Sequence, residues 1–260
     1  MTSQSAGGPV VLAVSPHLDD AAFSAGALLA GLAARGARVR VVTVFTAGAP
    51  NPRGFALACQ TDKGLSPDVD YMALRRAEDQ AAVAALGAQA VHLGLAEAPH
   101  RGYDSATALF GPVLAADATT PEDVRDALEP ELARPGMPPP DLLLGPAALG
   151  DHVDHRHVRD ALDMLAHRHR FAVVQWDDLP YALRLSPHTR GVHKRWSTPA
   201  ETKAKLIACA SYTTQLGFQF GNATAMQEAL RPMPETFSKN PEQALPPQQE
   251  ETTWIYPDRN

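Results

Sequence analysis

From residue 10 to residue 176 the chain alternates short valine- and leucine-rich runs with longer stretches of helical spacing. That alternation leaves few folds open. Val10 to Val14, Arg38 to Phe45, Ala88 to Leu95, Asp141 to Leu144 and Phe171 to Trp176 each have the length and bulk of a buried strand. Between them, 21–35, 71–86, a segment opened by Pro121-Glu122-Asp123 and 154–169 place apolar residues on one helical face. The pattern predicts an α/β fold with a Rossmann-like open, mostly parallel sheet and helices on both faces. Residues 53–70 and 96–120 lack periodicity and are expected to be long loops, 182–198 a hairpin, and 201–211 a further helix. The whole of 1–260 is expected to be one domain. Its core would span about 10–215, with 216–260 a proline-rich, partly irregular extension holding one short helix near 223–230.

Each strand that ends in polar residues does so in a telling way. Ser15-Pro16 stops the first run, since proline cannot donate to a ladder, and His17-Leu18-Asp19-Asp20 follows before an alanine-rich helix begins. The fourth run ends in a Gly/Pro loop and then Asp151-His152-Val153-Asp154-His155, again opening a helix. In a parallel sheet both turns emerge on one edge, where α/β proteins place their ligands. Convergence would assemble His17, Asp20 and His155, a two-histidine, one-carboxylate set that with a water has the composition of a catalytic zinc site. Asp19 is left beside it as a carboxylate base and His152 as an imidazole acid. The plainer alternative is two helix caps with surface histidines, the acids favouring the positive end of each helix.

The two turns, Ser15-Pro16-His17-Leu18-Asp19-Asp20 and Gly150-Asp151-His152-Val153-Asp154-His155, resemble those of the PIG-L/LmbE-like N-deacetylases. Arg75-Arg76-Ala77-Glu78-Asp79 with Leu86-Gly87 looks like that family's second helix, and Asp178-Leu179-Pro180-Tyr181 and 205–215 echo it more weakly. The resemblance covers about residues 10–215. It implies one zinc per chain on His17, Asp20 and His155, with iron(II) or cobalt(II) also suited to those donors. It implies Asp19 as general base, a protonated His152 meeting the oxyanion or the leaving amine, Asp154 orienting His152, and Arg75 reaching the substrate. The expected substrate is a small N-acylated amino sugar or glycosylated metabolite, and the expected loop walls of its cleft are 47–70 and 96–120. Two departures blur the substrate: Leu18 stands where proline is common, and Ala21 where an acid is common.

Other features narrow the choice. A net charge of -6 without a Lys/Arg cluster argues against nucleic acid. No apolar run is long enough for a bilayer, the first residues lack a signal-peptide pattern, and the two isolated cysteines fit a reduced, cytoplasmic setting. Cys59 and Cys209 have no local basic partner and are expected to be small buried hydrophobes. His157, His167 and His169 are expected on a solvated face and His92 in packing, while Asp177 and Asp178 suit either the cleft or a turn. A thiol-conjugate amidase keeps the metal and changes the bond. A non-catalytic Rossmann-like binding module is disfavoured by the lack of G-x-G-x-x-G in the first turn. Oligomeric state leaves no sequence signal.

Overall fold

The computed structural model describes residues 8–185 and 191–245. Its strands are β1 (Val10–Ser15), β2 (Arg38–Phe45), β3 (Gln89–Leu95), β4 (Leu142–Pro146), β5 (Val173–Trp176), β6 (His193–Arg195) and β7 (Glu235–Phe237). They form one sheet in the order β3-β2-β1-β4-β5-β7-β6. The first five positions are parallel, and β7 runs antiparallel to β5 and β6. The winding reverses between β1 and β4, so the crevice outside their carboxyl ends is the switch point of the sheet.

Strand pleating divides the core into two layers. Val11 and Ala13 of β1 join Val39, Val41, Leu142 and Leu144 beneath α1 (Asp20–Ala34), α3 (Tyr71–Ala85), α7 (Pro199–Ala210), α8 (Thr213–Phe220) and α9 (Ala223–Leu230). Leu12 and Val14 face the other way, onto Val124, Leu128 and Leu132 of α5 (Pro121–Leu132) and Val158, Leu162 and Leu165 of α6 (Val153–His169). Gly145 sits where α6 crosses β4. A Cβ there would lie 2.1 Å from Leu162 Cδ1, so a larger residue fits only if that side chain shifts. Removing the Leu162 side chain to alanine would cost about 2–5 kcal/mol as a core cavity. Among the described residues no helix is long and apolar enough to cross a membrane.

Three expectations fail. Residues 53–70 contain α2 (Gly54–Thr61), a helix whose N-cap Arg53 offers no capping side chain, and 96–120 contains the single turn α4 (Ala106–Leu109). Residues 182–198 do not pair as a hairpin in their described part, because β6 pairs with β7 instead; residues 186–190 of that stretch lie outside the described residues. The segment after 215 is no mere extension either. It supplies most of α8 and the strand β7 as well as α9, the short helix expected near 223–230. Glu235 of β7 is buried and accepts from the N–H groups of Ala27 (2.7 Å) and Leu28 (2.8 Å) while pairing with Lys205 Nζ (2.8 Å). A buried carboxylate is tolerable only when so satisfied, and here it ties β7 to α1 and α7.

Candidate active site

Both polar turns come out at the switch point. Ser15 Oγ donates to His17 O (2.7 Å) and accepts from Ala21 N–H (3.0 Å), which folds the chain back into α1 without help from Asp19. Asp20 Oδ2 accepts from the His17 N–H (2.8 Å). Across the crevice, Ala148, Gly150 and Asp151 take left-handed backbone conformations that swing α6 inward. Gly150 also faces Tyr181, whose Cβ would lie 3.1 Å from an added Cβ.

The result is a tight triangle. His17 Nδ1 lies 3.2 Å from Asp20 Oδ2, His155 Nε2 lies 3.3 Å from the same oxygen, and the two nitrogens are 3.3 Å apart. The outer nitrogen of each ring is committed: His17 Nε2 donates to Asp154 Oδ2 (2.9 Å), and His155 Nδ1 donates to Asp178 Oδ1 (2.6 Å). Those bonds fix the tautomers, so in the neutral state both inner nitrogens present lone pairs to each other and to a carboxylate. Three acceptors without a proton among them require a cation. Their spacing is close to the edge of about 3.3 Å between tetrahedral ligands held about 2.0–2.1 Å from zinc, so the residues fit the metal. Burial depresses both imidazoles, yet Asp154 and Asp20 hold His17 well above its ordinary value, and Asp20 and Asp178 raise His155 to about 9. Asp20, opposite both rings, is held far below the usual carboxylate range despite its burial.

The ring nitrogens of His17, His152 and His155 also gather within 4.8 Å of one another, a looser donor set. His152 is differently placed. Its Nδ1 accepts the Asp154 N–H (3.2 Å), leaving the ring proton on Nε2. Burial, and then the neighbouring His17, push its pKa well below normal, so it is a neutral donor rather than the imidazolium expected. Phe110 and Tyr181 pack edge-on around these rings, at 5.3 Å from His152 and 5.3 Å from His155 respectively.

Asp19 stands apart from its neighbour. It is the N-cap residue of α1 but makes no capping bond with its side chain, and it is buried. Burial and then Asp20 raise its carboxyl to about 8, against the pull of Arg75 and His17. Arg75, expected to reach the substrate, lies close enough to Asp19 to act on its charge. It is buried, bonded to Glu97 and packed over the Tyr71 ring at 5.5 Å. The Asp154 side chain serves His17 and not His152, because residues two apart at a helix start point in different directions. It also accepts from Ala98 N–H (3.1 Å) and Arg101 Nη2 (2.7 Å). Arg101 grips Asp117 with two further bonds (2.7 and 3.1 Å). His157, expected on the surface, is buried against Asp117 (3.4 Å). Sequence reasoning missed Arg101 altogether, since nothing in an aperiodic loop marks it. Asp178 was open between cleft and turn; the structure places it on His155. Segment 96–120 walls the site through Ala98, Arg101 and Phe110, and 47–70 lines a cavity next to it.

The family model for GlcNAc-PI de-N-acetylase, PIG-L, matches residues 12–166. A 2'-N-acetylparomamine deacetylase from Streptomyces fradiae is 36% identical over 174 residues, which is 66% of this chain and 57% of that protein. The chain thus spans little more than half the length of that relative. Among solved structures, a deacetylase of teicoplanin biosynthesis has a TM-score of 0.74 at 32% identity, covering 82% of this chain and 87% of the other. The zinc-inhibited form of teicoplanin deacetylase Orf2 gives 0.69 at 29% identity, covering 85% and 89%.

Proposed function

Because this chain belongs to the PIG-L family of de-N-acetylases, we propose that it is a metal-dependent hydrolase that removes an acetyl or other acyl group from the nitrogen of an amino sugar in a glycosylated metabolite. The observation that carries this reading is the triangle of lone pairs on His17, Asp20 and His155, with a buried carboxyl that makes no capping bond, Asp19, beside it. The relatives named for paromamine and teicoplanin support a glycosylated substrate. His17, Asp20 and His155 would hold zinc, or iron(II) or cobalt(II), supplying Lewis acidity toward an amide carbonyl and an attacking water.

The chain's own residues supply the proton traffic. In its ionised form Asp19 accepts the proton of the attacking water, and with the carboxyl raised to about 8 that desolvated carboxylate is a stronger base than one in solvent. His152 donates its Nε2–H toward the carbonyl oxygen as that atom gains charge. The proton held on Asp19 then returns to the departing nitrogen, a role that neutral His152 does not need to fill. Asp154 and Asp178 hold the two imidazoles in the tautomers that leave lone pairs inward. The test is acetate release from a panel of N-acetylated amino sugars and glycosides, with zinc removed by chelation and restored to one equivalent. Release should vanish and return with the metal. Absence of release from every acetamide by fully loaded protein overturns the reading.

A further inference from the structure

Arg101 touches none of the three corners of the triangle and takes no part in the proton traffic of the reaction, yet its side chain is only 3% exposed. It makes four hydrogen bonds. Two go to Asp117 (2.7 and 3.1 Å), one to the Ala96 carbonyl (2.6 Å) and one to Asp154 Oδ1 (2.7 Å). The centre of its guanidinium also lies 5.0 Å from the centre of the Phe45 ring, at the carboxyl end of β2. That ring in turn stands 6.1 Å from the ring of His17.

The bond to Asp154 is the one that segment 96–120 does not need. Two bonds to Asp117 and one to Ala96 already fasten Arg101 within that segment. Asp154 has more to gain from the contact. The last torsion of an aspartate is broad and roughly two-fold, so the residue does not by itself fix how its carboxylate is turned. Here Oδ2 must meet the His17 Nε2–H (2.9 Å) while also accepting the Ala98 N–H (3.1 Å). The partner of Oδ1 among the described residues is Arg101. A planar, charged donor at that oxygen sets the plane of the carboxylate and keeps Oδ2 on the imidazole. The Asp154 side chain is fully buried, so bulk solvent does not stand in for the arginine.

We propose that Arg101 is a positioning residue of the metal centre: by holding Asp154 in one orientation, it keeps the His17 ring and its Nδ1 lone pair turned into the triangle. The proposal rests on the zinc reading above. It couples an arginine of an aperiodic segment to a ligand that it does not touch. Asp117 grips Arg101 from the far side and bonds neither His17 nor Asp154, so it separates this role from that of a fastener for the segment.

Calorimetric zinc titration tests this. Arg101→Lys keeps the charge but lacks the planar fork that spans Asp117 and Asp154 together. It should bind zinc about tenfold more weakly, the lower end of the range for an outer partner. In an Asp154→Ala background the same substitution should change zinc affinity by less than about twofold, since nothing is left for it to act through. Unaltered or tighter zinc binding by Arg101→Lys, or a tenfold loss that persists without Asp154, overturns the proposal and leaves Arg101 a fastener. If Arg101→Lys does not fold, the charge-balanced pair Arg101→Gln/Asp117→Asn is compared with Asp117→Asn alone; a tenfold loss supports the role and equal affinity refutes it. If the wild type binds no zinc, the metal reading fails by itself, and the hydrogen bond decides the matter. By nuclear magnetic resonance of the metal-free protein, the His17 Nε2–H should give a downfield, slowly exchanging signal. Arg101→Lys should move it upfield and speed its exchange, while Asp117→Asn leaves it in place. A signal missing from the wild type, or not moved upfield by Arg101→Lys, refutes the proposal.

Discussion

The turn after β1 and the turn after β4 are built alike, yet they use their acids in opposite ways. Each follows a buried parallel strand, opens a helix and delivers one imidazole to the triangle. In the first turn, Ser15 Oγ takes over part of the capping, Asp20 faces the two imidazoles, and Asp19 is left without a capping bond. In the second, Asp154 is committed three times over, to His17, Ala98 and Arg101. One turn leaves a buried carboxyl without a capping bond, and the other commits its carboxylate to holding a ring in place. Local sequence sets the conformation of such a turn, but tertiary partners decide what its charges do.

Removing a corner of the triangle should break this comparison outright. His155→Ala and Asp20→Asn should lose metal affinity by more than the 10–100-fold typical of an outer partner, read by calorimetric zinc titration, and should lose acetate release with it. Full zinc occupancy in both variants would return the two turns to being helix caps. A step down in effect, Asp19→Asn should bind zinc normally and stay folded while kcat drops about a hundredfold or more. Near-normal turnover of the zinc-loaded variant would falsify the general-base role. Next, Asp154→Asn should weaken zinc binding about 10–100-fold by freeing His17. If Asp154 served His152 instead, that variant would lose kcat with its zinc affinity intact.

The triangle's three members could be named in advance because short valine and leucine runs fix the strands, and parallel strands bring their carboxyl ends to one edge. The partners of those three were legible only in part. Asp154 lies next to His152 in sequence, yet it bonds a ring 137 residues away, and no local spacing carries that information. Arg101 and Asp117 sit in an aperiodic segment whose order comes from its contacts with the site. The edge of the sheet was hidden for a related reason. β7 is three residues between prolines, and Glu235 gains its meaning from α1 and Lys205, more than 200 and 30 residues away along the chain. α8 lacked a cap signal, since its N-cap Tyr212 makes no capping bond.

The smallest expected effect lies furthest from the triangle, at Asp117, and it asks whether the second turn owes its rigidity to charge. Burial pushes this carboxyl up, but hydrogen bonds from Arg101, the Thr119 N–H and the Tyr103 hydroxyl outweigh it and bring the pKa to about 2. An unfolded aspartate titrates near 3.9, so the unfolded chain takes up the proton first as pH falls. The stability that Asp117 contributes is therefore fully present above about pH 5 and lost between there and about pH 2. At neutral pH, Asp117→Asn should destabilise the protein by about 1–3 kcal/mol, the range for leaving a buried donor such as Arg101 poorly paired. Denaturant unfolding at stepped pH should then show the wild-type margin over the variant shrinking toward zero as pH drops to 2. A margin that held constant over that range would mean that Tyr103 and its apolar neighbours Ala98 and Val153 anchor segment 96–120, with the Arg101–Asp117 pair incidental to them. The same substitution should leave zinc affinity within a few-fold of wild type, because Arg101 still meets Asp154 directly.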